Sequence, residues 1–138
     1  MTQEDKELLL KDLCARLPYG VKILHEGWNF EWDEELSTVE KVVGIDEDFI
    51  YTKVINTHNG EEYRDDKWPI DTFDDKLFLR PMSSMTEEQK SQYNFYLTRI
   101  VFAYDVSLLI DWLNKNHFDY RNLINKNLAI DCTNLNIY

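Results

Sequence analysis

Glycine and proline are scarce, four and three in 138 residues. That excludes a collagen-like chain and long flexible linkers. It also leaves too little glycine for a phosphate cradle: no Walker loop, dinucleotide-binding pattern or nucleophile elbow is present. Cysteine is limited to Cys14 and Cys132, far apart in the chain. Two lone cysteines make neither a disulfide framework nor a zinc site, and they point to a reducing, cytoplasmic setting. Histidine occurs three times, at His25, His58 and His117, never in a metal-ligand or catalytic spacing. No apolar run approaches the ~20 residues needed to cross a bilayer. The opening Met1-Thr2-Gln3-Glu4-Asp5-Lys6 lacks the basic start and apolar core of a signal peptide.

What the chain has in quantity is large apolar side chains and acid. Hydrophobic residues make up 43% and aromatics 14%, too many for a disordered protein. At this length one domain spanning 1–138 can bury a real core. The net charge of −11 is lopsided. Residues 1–75 carry 20 acids and 8 bases, residues 76–138 carry 6 and 7. An acidic surface repels phosphate, so direct nucleic-acid binding is disfavoured. Solubility is the plain explanation of the charge; a basic partner protein, a cation or a DNA-mimicking role is also compatible with it.

Segment patterns divide the chain into a helix over 1–17, a small antiparallel sheet over 20–80, a helical region over 86–127 and a tail over 128–138. Thr2 is placed to cap the first helix, with Glu4 and Asp5 in its first turn. Leu10, Leu13, Cys14 and Leu17 recur at i, i+3, i+4, i+7, which predicts one buried stripe. Pro18-Tyr19-Gly20 reads as a turn. Val21, Ile23 and His25 share one face of a first strand, followed by a polar-aromatic loop from Trp28 to Glu35. Strand signals resume over Ser37–Val43. Gly44 to Asp48 turns the chain, and Phe49–Ile55 is the clearest strand. His58-Asn59-Gly60 predicts a turn with positive φ on Asn59 and Gly60. Glu62–Trp68 and Lys76–Arg80 are two more strands, stopped by Pro69 and Pro81. The fold class is therefore α+β: an N-terminal helix, a small, strongly bent antiparallel sheet and C-terminal helices, with closure into an SH3-like barrel left open.

Downstream, Thr86-Glu87-Glu88-Gln89 is a capping box, starting a helix expected to run to about Ala103. Its predicted buried stripe is Tyr93, Tyr96, Leu97, Ile100 and Tyr104. Asp105 either caps a second helix or sits inside one long helix; Val106, Leu109, Ile110 and Leu113 then share one face. Asp119 caps a short helix over Tyr120–Lys126, Asn127 is a left-handed stop, and Leu128–Cys132 is a terminal strand.

Candidate chemistry is thin. His117 and Asp119 form the single His-x-Asp pair, usable as an oriented base in a small hydrolase or metal-dependent enzyme. The acidic clusters at Asp33-Glu34-Glu35, Asp46-Glu47-Asp48, Glu61-Glu62, Asp65-Asp66 and Asp71/Asp74/Asp75 lack the EF-hand spacing. Cys132 reads as a small buried apolar residue. No catalytic residue, metal or cofactor is assigned, and the reading leans away from an enzyme. Trp28, Phe30 and Trp32 remain as candidate partner-binding residues, since a two-residue spacing on an extended chain points them one way.

The run Leu79-Arg80-Pro81-Met82-Ser83-Ser84-Met85-Thr86-Glu87-Glu88, with Asp111-Trp112-Leu113-Asn114, His117-Phe118-Asp119-Tyr120-Arg121 and Leu123-Ile124, resembles a family of small uncharacterised proteins encoded in gut Bacteroides-type bacteria and their phages or prophages. Leu13-Cys14-Ala15-Arg16-Leu17-Pro18-Tyr19-Gly20-Val21 fits the same pattern, while 27–75 matches only in strand character. The tail departs: the family pattern continues Leu-Ala-Leu-Glu-Ala-Pro-Glu-Gly where this chain has Leu128-Ala129-Ile130-Asp131-Cys132-Thr133-Asn134. The resemblance implies mobile-element origin and carries no activity or cofactor. The expectation is a non-enzymatic, cytoplasmic, membrane-independent protein that binds another protein, with the His117/Asp119 enzyme and the acidic DNA mimic as alternatives.

Overall fold

The computed structural model describes residues 1–29, 31 and 33–138. Helix α1 (Gln3–Arg16) starts in a reciprocal box: Thr2 Oγ1 accepts the Asp5 N–H at 3.1 Å, and the Asp5 carboxylate accepts the Thr2 N–H at 3.4 Å. The stripe it buries is Leu9, Asp12, Leu13 and Arg16, one position round from the predicted one. Cys14 is exposed. The rotation arises because Asp12 and Arg16 pair with each other, Arg16 Nε donating to Asp12 at 2.7 Å, so both charges enter the interior together. A 3₁₀ turn over Leu17–Tyr19 follows, and Gly20 leaves it at φ +66°, a left-handed angle glycine adopts without strain.

Six strands form one sheet in the order β4-β3-β2-β1-β5-β6. Strands β1 (Lys22–Asn29), β2 (Glu34–Ile45), β3 (Phe49–Ile55) and β4 (Glu62–Pro69) make an antiparallel meander. Strand β5 (Lys76–Leu79) returns antiparallel to β1, and β6 (Ala129–Asp131) adds in parallel to β5. The sheet is mixed and stays open, with β4 and β6 at its two edges, so no SH3-like barrel forms. The first hairpin is longer than predicted. Pairing continues to Trp28↔Glu35 and Asn29↔Glu34, which puts Trp28 in a strand instead of a loop. The turn after β3 is also wider than an Asn-Gly hairpin. Asn56 and Glu61 close it, Gly60 sits at φ +75°, and Asn59 keeps a negative φ.

The register puts Ile23, Val42, Ile50, Leu77 and Ala129 on one face, where Leu9 and Leu13 of α1 cover them. Leu123 and Leu128, from the turns after the last helix, complete this core. Each such side chain contributes roughly 1.5–3 kcal/mol by leaving water.

Helix α2 (Glu87–Thr98) begins in the predicted box: Gln89 N–H donates to Thr86 Oγ1 at 3.2 Å, and Gln89 Oε1 accepts the Thr86 N–H at 2.9 Å. It ends at Thr98, and helix α3 (Ala103–Lys115) follows a short connection, so the long-helix alternative falls. Asp105 makes the break. Its Oδ2 accepts the Val101 and Phe102 N–H groups at 3.0 and 2.9 Å from inside the first turn of α3. After α3 the chain makes turns, so the helix that Asp119 was expected to cap over 120–126 does not form; its carboxylate instead ties the turns, accepting from Leu123 and Ile124 at 2.8 and 2.9 Å. Asn122 and Asn127, at φ +63° and +60°, interrupt any helical run there.

Candidate functional site: the end of the helical hairpin

Helices α2 and α3 lie against each other through a second, smaller core. Met85, Leu109, Leu113 and Phe118 are its buried members, with Tyr93, Tyr96, Ile110 and Trp112 packed around them. Trp112 stacks on Phe118 at 5.7 Å between centroids and meets Tyr96 at 6.0 Å. The base of this hairpin is tied to the rest of the chain by backbone bonds, Arg80 N–H to His117 O and Asp119 N–H to Arg80 O. Arg16 donates to Phe118 O at 2.7 Å, locking α1 to the same point.

Cover is lost along the hairpin. On α3 the stripe Val106, Leu109, Leu113 goes from 41% exposed at the tip to 6% and 3% at the base. On α2 no residue is buried. The predicted stripe therefore fails at its far end: Leu97, Ile100 and Tyr104 are exposed. Around them stand Phe95, Val101, Phe102, Val106 and Leu108, giving eight large apolar side chains at one end of two helices. Beside Phe95, a shallow groove of about 470 Å³ is lined by Glu88, Ser91, Gln92, Tyr96 and Trp112. The two charges in this end are used locally. Arg99 lies 4.0 Å over the Phe95 ring, and the Asp105 carboxyl is held below its usual value by the two amides it accepts from. Such a surface has shape and apolar area but no titrating or nucleophilic group in play. Chemically, it can dock.

The sequence-level candidates are dispersed. Trp28 is about half exposed on the face of β1 away from α1, beside Glu26 and Glu35 in a shallow depression of about 300 Å³. Phe30 and Trp32 lie outside the described residues. His117 is buried, at φ +60°, with its ring stacked on Tyr138 at 3.6 Å. Its Nδ1 has no partner, and burial, with Arg16 and Arg80 nearby, pushes the ring's pKa down to about 3. The Asp119 carboxylate is spent on the two amides it accepts from. The pair thus offers a neutral ring under a tyrosine and a carboxylate turned to backbone. His58 is a turn residue, and Cys132 is buried, its thiol pushed up by burial.

A polar cluster that the sequence did not announce lies on the α1-facing side of the sheet. Glu40 is fully buried and accepts from Thr38, Thr52 and the Trp68 indole at 2.9, 2.5 and 2.8 Å. Trp68 stacks on His25 at 3.8 Å, and His25 Nδ1 meets both Asp75 oxygens at 3.0 Å. Burial pushes Asp75 up to about 6 against the pull of His25. One signal was present: Glu40 occupies an inward position in the alternation Thr38, Glu40, Val42. Every acceptor here is matched with donors inside the fold, so it braces the sheet. The acids of β4 are interleaved with bases: Glu62 pairs with Lys41 and Lys53, Asp65 with Lys53, Asp66 with Arg64. Asp46 accepts from Asp48, Phe49 and Tyr51, organising its turn. No cluster of three or more metal-ligating side chains occurs among the described residues, and none of the described helices is long and apolar enough to cross a membrane.

No protein-family model, curated protein or solved structure matches the chain. The motifs of the Arg80–Gln89 run are here a strand end, a 3₁₀ turn over Met82–Ser84 and the Thr86 cap.

Proposed function

We propose that the chain is a non-enzymatic, cytoplasmic protein-docking module of mobile-element origin, and that it docks through the tip of the α2–α3 hairpin. One observation carries this: eight large apolar side chains, 38–75% exposed, gathered at an end that none of the described residues covers. Monomeric proteins rarely leave a contiguous apolar patch larger than about 300–600 Å² without a use for it. The acidic sheet half serves solubility in this reading, its acids outnumbering its bases 20 to 8 over residues 1–75. Trp28 is the secondary candidate, a half-exposed ring beside Glu26 and Glu35.

The test is photo-crosslinking in the producing cells, with a crosslinking phenylalanine analogue at position 102 or, separately, at position 28. Position 102 is expected to give an adduct of defined mass that disappears when Phe95 and Leu108 are changed to Asp. Position 28 is expected to give none. No adduct from position 102, or a stronger one from position 28, would contradict the assignment.

A further inference from the structure

We infer that the occupant of the hairpin tip is a second copy of this chain, two tips meeting about a two-fold axis; this rests on the docking reading above. Area comes first. At the exposures given, the eight side chains leave roughly 900 Å² open, against about 800 Å² per partner in a standard interface. The amount matches what one stable pairing needs.

Charge selects the partner. Residues 95–108 contain one base and one acid, Arg99 and Asp105, and both are engaged within their own copy. A surface with no charge left over is complementary to itself. It carries nothing to select a basic or an acidic partner, and no basic rim to hold an anionic lipid surface. The chain as a whole carries −11, so two copies would repel if their sheets approached. The hairpin keeps them apart. From Leu113 at the base to Ala103 at the tip is ten residues of helix, about 15 Å, and the Debye length in physiological salt is about 8 Å.

Geometry completes the case. Val106 continues the Leu109–Leu113 stripe of α3 where that stripe is 41% exposed, and Ile100, in the connection between the helices, is 39% exposed. A second hairpin reversed over the first would continue both stripes into a four-helix contact, with Val101, Phe102 and Tyr104 of each copy against the other. Such a contact uses the same patch twice and closes at two copies, so it does not propagate into fibres.

Sedimentation velocity on the purified full chain, over a dilution series, tests this. The expected species is two 16.6 kDa chains, dissociating on dilution. Phe102→Asp should weaken the pairing by ~30-fold or more, as a buried anchor does, with an unchanged circular dichroism spectrum. Trp28→Ala should leave it unchanged. Added salt should leave it as tight or tighter, since no charge pair holds it. A monomer at every concentration, or a dimer indifferent to both Phe102→Asp and Val101→Asp, would overturn the inference. If the monomer still crosslinks from position 102 to a different protein, the docking reading survives without the second copy. If it crosslinks to nothing, both fail.

Discussion

Under α1, Leu9, Leu13, Ile23, Ile50 and Leu77 are wholly covered; at the far end of α2–α3, Val101, Phe102 and Tyr104 are 75%, 73% and 71% exposed. The two regions use similar residues. They differ in what the chain supplies to cover them. The sheet has α1 and the 119–128 turns laid over it, and even its interior charges are matched, Arg16 with Asp12 and Glu40 with three donors. The hairpin has a dry base and an end that no described residue covers. The proposed docking is placed there because that apolar surface is left open.

Four substitution experiments would break or sharpen that contrast. The largest effect belongs to Arg16→Ala. It removes the closer of the two cations on buried Asp12, leaving Arg121 at 3.2 Å, and removes the bond to Phe118 O, so denaturant unfolding should show a loss of about 3–5 kcal/mol. Next, Leu113→Ala at the dry base should cost about 2–5 kcal/mol, whereas Phe102→Asp at the tip, measured at a dilution where the chain is monomeric, should change folding stability by less than about 0.5 kcal/mol. If the two substitutions proved equally costly, the tip would be core and the contrast would collapse.

The third is a pH experiment on two buried groups whose effects oppose. Asp75 has a folded pKa near 6, above its ordinary 3.8, so the native state holds the extra proton between about pH 4 and 6. Its contribution is present at the acid side of that window and lost as pH rises through it, by roughly 3 kcal/mol. His117 has a folded pKa near 3, below its ordinary 6.5, so the unfolded chain takes up the proton first. Stability is therefore lost as pH falls from about 6.5 towards 3. Thermal melts across pH 3–7 should show a steeper acid loss for Asp75→Asn than for the parent chain, and a shallower one for His117→Gln. Parallel curves for all three would place these groups in water. The smallest effect is Asp105→Ala, which frees the Val101 and Phe102 amides and should cost about 1 kcal/mol, read as faster amide exchange confined to the hairpin tip.

Much of the fold was readable. Thr2 and Thr86 were visible as caps because a cap is a local bond between residues a few positions apart. Strand β3 was visible because Phe49–Ile55 is dense in β-branched and aromatic residues. What escaped depended on partners distant in the chain. The buried stripe of α1 was misplaced because hydrophobicity alone favours Cys14 over Arg16, whereas Arg16 points inward to Asp12 and to Phe118 O, 102 residues away. Openness of the sheet escaped for the same reason, since β6 comes from the other end of the chain. At the site, the stripe Tyr93–Tyr104 was correctly seen as apolar and wrongly taken as buried. Periodicity reports that a face is apolar; whether the same chain covers it depends on where α1 and the turns go.

Amide hydrogen exchange on the unmodified chain, compared between concentrated and dilute samples, addresses the central claim most directly. Slower exchange at high concentration across residues 95–108, with β1–β4 unchanged, is the predicted result. Protection appearing instead along the β4 edge or around Trp28, with the hairpin tip exchanging equally fast in both samples, would contradict it.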